Sequence, residues 1–433
     1  MERGELDSHE LGRDTRMSLS REWDELIAKV RRMNNLSNFM ALPRLESLTT
    51  AGERGPVVTL TCAPSRCDAI IVLDGEVKSL RLPTDRETVF AKTEFYLQTI
   101  ARFESATSAL RREGTSIAQS DNLTSAQRNR AAIVKRDYEL AYVDFEQRLL
   151  TILEWLWSHV TDPILTSLRI TKPPSEDRWP RLWWCPTGAF SLLPIHAAGI
   201  HESGNDSVYD RAVQSYTPTV RALIESRIPS PDTHALSPKL LIVDVSENRD
   251  STDLPGARRE VQYIADLMKA DSLTRISGED ANRVRVITEL GSHRWVHFSC
   301  HGEQDLTDPS NSRLRLRNSS ISVMDLALSP QQGDFAFLAA CETGTGGTSL
   351  PDESITLAAS LHYSGFRNVV ASMWKIRDDA SETLVKMFYE RTCRNSYLDT
   401  AVVPYALHNA VRSLKELSPS APSSWMPFTH IGP

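Results

Sequence analysis

Two short runs carry the residue types best suited to chemistry: His301-Gly302, and Cys341 with the polar, glycine-rich Glu342-Thr343-Gly344 behind it. Each stands where an apolar run ends. Phe335 to Ala340 is continuously apolar and bounded by turn formers, the pattern of a strand buried on both faces. Trp295-Val296-His297-Phe298-Ser299-Cys300 reads as a second such strand. Open α/β sheets place ligands and reactions at the carboxyl ends of buried parallel strands. Two neighbouring strand ends therefore present an imidazole and a thiol to one cleft. A thiol acts as a nucleophile through its thiolate, which needs a nearby base or positive surroundings. His301 supplies the base. The backbone N–H groups of Gly302 and Cys341 are the candidate oxyanion hole, glycine letting the chain approach a carbonyl closely.

Other chemistries fit these residues less well. His297, Cys300 and His301 have metal-ligand side chains, but a strand puts the two histidines on one face and the cysteine on the other. His297 and Cys300 read as packing residues, and no CxxC or HExxH spacing supports a metal elsewhere. Thr343 to Ser349 has the glycine content of a phosphate loop without its lysine, and Asp352 and Glu353 after it would compete with a phosphate. Asp378 and Asp379 follow Val370 to Arg377 past the end of a further strand. Two readings stand for them: a helix N-cap, which suits Asp379, and an acidic pocket wall selecting a basic side chain, which suits Asp378.

The elements that must position these residues follow from the rest of the chain. Its 433 residues allow two or three domains, with ordinary globular composition (40% hydrophobic, 24% charged). A net charge of −7 gives no reason to expect nucleic acid or an anionic membrane as partner. No apolar run reaches membrane-spanning length. Six cysteines without framework spacing read as reduced thiols in a cytoplasmic or nuclear setting. Residues 1–17 read as disordered. Ser18 to Arg32 follows as an amphipathic helix, with Trp23, Leu26, Ile27 and Val30 on one face.

Val57–Thr61, Ala69–Leu73 and Val77–Leu82 read as strands, with Asp74-Gly75 as a tight turn. Long helices follow over Arg86–Arg112 and Ala131–Val160, separated by a polar loop from Gly114 to Asn129. After a linker at Pro173–Pro180, short strands alternate with helices. That alternation predicts an α/β fold with a mainly parallel sheet covered by helices on both faces. Domain boundaries are placed at 1–17, 18–180 and 181–433.

Several motifs, in order, resemble CHAT domains, caspase-like peptidase domains related to separases. They are Leu254-Pro255-Gly256-Ala257-Arg258-Arg259-Glu260-Val261, His297 to Gly302, Ala340 to Gly344, and Gly365 to Trp374. Arg181 to Gly188, Leu193 to Gly199 and Trp425 to Gly432 resemble the fungal branch. The resemblance implies a caspase-like fold and a cysteine endopeptidase with His301 as base and Cys341 as nucleophile. It places the separase-like aspartate on Asp378 and so implies Arg or Lys at the cleaved position. It also makes residues 18–180 a non-catalytic, pseudo-protease-like half. No metal or organic cofactor is implied. The implied partners are a polypeptide substrate and an activator, such as the tetratricopeptide-repeat region common in the family but not visible in this sequence. A non-cleaving scaffold or sensor is the alternative, with the activity latent or lost.

Overall fold

The computed structural model describes residues 2–33, 39–41, 43–118, 124–174, 179–201, 206–228, 237–245, 255–303, 305, 308–329, 333–339, 356–374 and 378–433. Residues 1–48 and 49–433 form two compact units. The first contains helix α1 (Glu2–Arg31), which takes in residues expected to lack structure. In the same unit the Arg31 Nε donates to the Phe39 carbonyl at 2.8 Å.

The second unit opens with strands β1 (Val57–Ala63), β2 (Arg66–Leu73) and β3 (Glu76–Arg81). Asp74 and Gly75 both adopt positive φ in the β2–β3 turn, as a two-residue hairpin requires. Helices α2 (Arg86–Ala118) and α3 (Ser125–Leu156) form the long helical pair. Both helices extend into the stretch expected as a polar loop: α2 runs to Ala118, and a reciprocal capping box between Thr124 and Gln127 starts α3 at Ser125.

The remaining elements alternate. They are β4 (Arg181–Pro186), β5 (Val213–Tyr216), α4 (Val220–Ser226), β6 (Ser237–Asp244), α5 (Pro255–Leu267), β7 (Leu273–Ser277), α6 (Arg283–Leu290) and β8 (His293–Ser299). After them come β9 (His301–Glu303), β10 (Arg313–Arg315), β11 (Ser320–Ser322), α7 (Val323–Ala327), β12 (Phe335–Leu338), α8 (Leu357–Ser364), β13 (Asn368–Ser372), α9 (Asp378–Thr392), α10 (Val403–Leu417) and β14 (Phe428–Ile431).

Among the described residues, eleven strands form one sheet in the order β3-β2-β1-β4-β5-β14-β13-β12-β8-β6-β7. It is mostly parallel, with antiparallel pairs at β1–β2, β2–β3 and β13–β14. Because β1 pairs in parallel with β4, the division drawn at residues 180/181 falls inside one continuous sheet and one compact unit. Strand residues alternate between two cores. Leu240, Ile242, Trp295, Phe335 and Phe337 pack with α2, α3, α5, α9 and α10, whereas Leu241, Val243, Val296, Phe298, Ala336 and Leu338 pack with α6, α7 and α8. Helices thus cover both faces.

The sequence reading missed the terminal strand β14, which inserts between β5 and β13. It is held by a bond from Trp183 Nε1 to the Gly432 carbonyl (2.9 Å) and by Ser215 Oγ against His430 Nδ1 (2.7 Å). Gly432 has positive φ and lies so close to the Arg367 carbonyl that a Cβ would collide with it. A second difference concerns thiols. Cys62 and Cys67 lie opposite one another in the β1–β2 register and form a disulfide, which corrects the expectation of six reduced cysteines.

Buried imidazoles make this unit acid-sensitive. Burial holds His196 and His201 down to about 4 and His408 down to about 3. The unfolded chain takes up these protons near pH 6.5 while the folded chain stays neutral, so acid favours unfolding. Stability is fully present above about pH 6.5 and falls as pH drops toward 4, by about 3 kcal/mol for His196 alone. Urea midpoints measured at pH 7.5 and pH 5 should show the fall; equal midpoints would contradict neutral burial of these rings.

Candidate active site

Strands β6, β8, β12 and β13 run parallel and end at one edge of the sheet. Ser299 pairs with Asp244, Phe298 with Leu338, and Phe337 with Val370. The Ala339 N–H continues the β8–β12 ladder, donating to the Phe298 carbonyl at 3.0 Å. Asp244, Ser299, Ala339 and Ser372 therefore form one row across the strand ends. His301 follows Ser299 by two positions, as Cys341 follows Ala339. The strands that precede His301 and Cys341 are direct neighbours, and Ser299 and Ala339 stand level at their ends.

His301 and Gly302 lie in β9, a half-buried strand that pairs with β10 in a separate three-stranded sheet. The apolar strand thus ends before Cys300, and His301 belongs to a different element from His297. Across β9–β10, Glu303 receives Arg313 Nε at 2.6 Å and Arg315 Nη1 at 3.0 Å. Burial pushes the Glu303 carboxyl up, but the Arg313 and Arg315 guanidinium groups together outweigh it and hold the carboxyl below its usual range. Cys341 and the rest of residues 340–355 lie outside the described residues, and so does the second oxyanion donor assigned to Cys341. Helix α9 begins at Asp378, so Asp378 and Asp379 both occupy its first turn, where negative charge complements the helix dipole. Their side chains lie outside the description.

His297 is fully buried, as expected of a packing residue, yet it is not an apolar contact alone. Its Nε2 lies 2.6 Å from Glu260 Oε1 and its Nδ1 lies 3.0 Å from the Tyr389 hydroxyl, while the ring stacks on Phe337. The other Glu260 oxygen accepts from Ser381 Oγ at 3.4 Å. The sequence reading assigned no role to Glu260 or Tyr389. A signal was present: Ala257, Glu260, Val261, Ile264 and Met268 share one helical face, so a carboxylate stands within an apolar stripe. Cys300 is buried in the core on the opposite face.

Two further groups mark this end of the sheet. Asp244 is buried at the end of β6 and accepts two bonds from Arg275, at 3.1 and 2.5 Å. Trp374, just past β13, is buried edge-on to Tyr96 of α2, with ring centroids 6.2 Å apart. Helix α2, from the N-terminal part of the sequence, therefore packs beside the end of β13. Among the described residues no group of three or more His, Cys, Asp or Glu side chains could hold a metal ion.

The CHAT domain family signature matches residues 150–433. No curated protein matches the chain. Among solved structures it is similar to Saccharomyces cerevisiae separase in two crystal structures of the separase–securin complex. In one the TM-score is 0.59 at 11% identity, covering 90% of this chain and 31% of separase. In the other it is 0.56 at 10% identity, covering 90% and 30%. The chain spans less than a third of the separase length, and at this identity the likeness is one of fold. That fold is the one found in caspase-like proteases.

Proposed function

We propose that this chain, which belongs to the CHAT domain family, is a cysteine endopeptidase of the caspase–separase type that cleaves after a basic residue. The observation that carries this reading is the pairing of β8 with β12, in a register that sets Ser299, two positions before His301, level with Ala339, two positions before Cys341. In the proposed reaction His301 takes the thiol proton, and the Cys341 sulfur attacks the scissile carbonyl. The oxyanion is held by the Gly302 and Cys341 N–H groups. The amine leaves with the proton from His301, and water then releases the acyl group. Asp378, at the start of α9, supplies the charge that reads Arg or Lys at the cleaved position.

We further propose that the activity is latent until a partner polypeptide engages the chain. The separase structures it resembles contain a partner, securin. Fluorogenic peptides with Arg, Lys, Asp or Leu at the cleaved position test the reading, with turnover expected on the first two, slow while the chain is latent. A non-cleaving scaffold would give no turnover, and its Cys341 would react with an arginyl electrophile no faster than an ordinary thiol.

A further inference from the structure

We infer that Glu260 is a positioning residue, which fixes helix α9 and the Asp378 pocket wall at its start against the histidine strand. The inference deepens the peptidase reading and rests on it for its consequence in specificity. Glu260 projects from α5 and makes contacts in two directions: one oxygen to His297 on β8, the other to Ser381 in the early part of α9. A carboxylate oxygen accepts from a ring N–H. His297 Nε2 is its donor, and Nδ1 meets the Tyr389 hydroxyl from farther along the same helix. One chain of contacts, Ser381–Glu260–His297–Tyr389, thus joins α9 at two levels to β8, the strand that precedes His301 in the sequence. Outside it, Arg259 Nε bonds Glu382 and the Tyr263 hydroxyl bonds Glu390, each at 2.7 Å, so α5 grips α9 along its length.

Stability alone gives poor reason for such a network. Buried polar pairs are often no more stabilising than apolar groups of the same shape, whereas loss of one partner leaves the other unsatisfied. What directional bonds provide is a defined axial position for the helix. Apolar packing of Phe388 and Leu384 on the sheet would tolerate sliding far better.

The test uses the whole chain with Ser381→Ala, Glu260→Ala and the conservative Glu260→Gln. Amides 382–386 bond back to the first turn of α9, so their hydrogen exchange reports its anchoring. Exchange there is expected to rise about fivefold in Ser381→Ala and about tenfold in Glu260→Ala, with β8 amides 295–298 unchanged and Glu260→Gln near wild type. In parallel, KM for an arginyl peptide should rise severalfold in the first two variants while kcat holds. Unchanged exchange at 382–386, or an equal rise throughout the sheet, overturns the positioning role. A wild type that cleaves no peptide and whose Cys341 reacts with an arginyl electrophile no faster than an ordinary thiol would instead overturn the peptidase reading, and the exchange result would still decide this one. If Glu260→Ala fails to fold, Ser381→Ala, which deletes one hydroxyl, carries the decision.

Discussion

Cys341→Ala is expected to reduce kcat/KM on arginyl and lysyl peptides by at least about a thousandfold, a loss of roughly 4 kcal/mol of transition-state stabilisation. Without the sulfur no acyl-enzyme forms. What remains is the binding and oxyanion stabilisation that a cleft provides to a water attack. His301→Gln should have a comparable effect on turnover for a different reason, since the thiol then ionises only as readily as a free cysteine. The two causes separate by alkylation. Near pH 7 iodoacetamide should label His301→Gln more slowly than wild type, and Cys341→Ala should lose that labelled position altogether. Activity that survives in Cys341→Ala would sink the mechanism, whatever the fold resembles.

Asp378→Asn should lower kcat/KM on arginyl peptides about a hundredfold, while leucyl peptides hold or gain slightly. A guanidinium leaving water needs a paired carboxylate, and loss of the partner leaves a buried charge unmatched. Asparagine keeps the shape and hydrogen-bonding capacity of the side chain, so helix α9 still begins normally. Asp379→Ala serves as the counterpart: it should reduce stability by about 1 kcal/mol, as loss of a helix-terminal acid does, and leave the Arg-over-Leu ratio alone. If instead Asp378→Asn lowers the melting temperature and leaves the ratio unchanged, Asp378 belongs to the helix start and the basic preference is withdrawn. Selectivity and melting temperature, measured on the same two proteins, assign each aspartate its part.

Much of the architecture was legible because it is local. The apolar-rich run Trp295–Cys300 and the continuous apolar run Phe335–Ala340 report buried strands, and the structure pairs those two strands directly. Asp74-Gly75 announces its hairpin because few other residue pairs accept two positive φ values. The periodicity of Arg86–Arg112 marks a helix well but locates its end poorly: α2 runs on to Ala118. The sequence motifs also place His301 and Cys341 two positions past Ser299 and Ala339, at the sheet edge to which the proposed chemistry is assigned.

What the sequence by itself determined, then, is which segments are strands or helices, which faces they bury, and which residue types stand at the strand ends. Tertiary structure alone decided their partners. Nothing local in Phe428–Ile431 says that it enters the sheet between β5 and β13, parallel to one and antiparallel to the other. Nor does the apolar pattern around His297 reveal that Glu260 and Tyr389 will meet its two ring nitrogens. Periodicity reports whether a side chain leaves water, because burial acts on each residue separately. Hydrogen-bond partners and strand neighbours depend on which edges and polar atoms the whole chain brings together, a choice made only when the sheet closes around them.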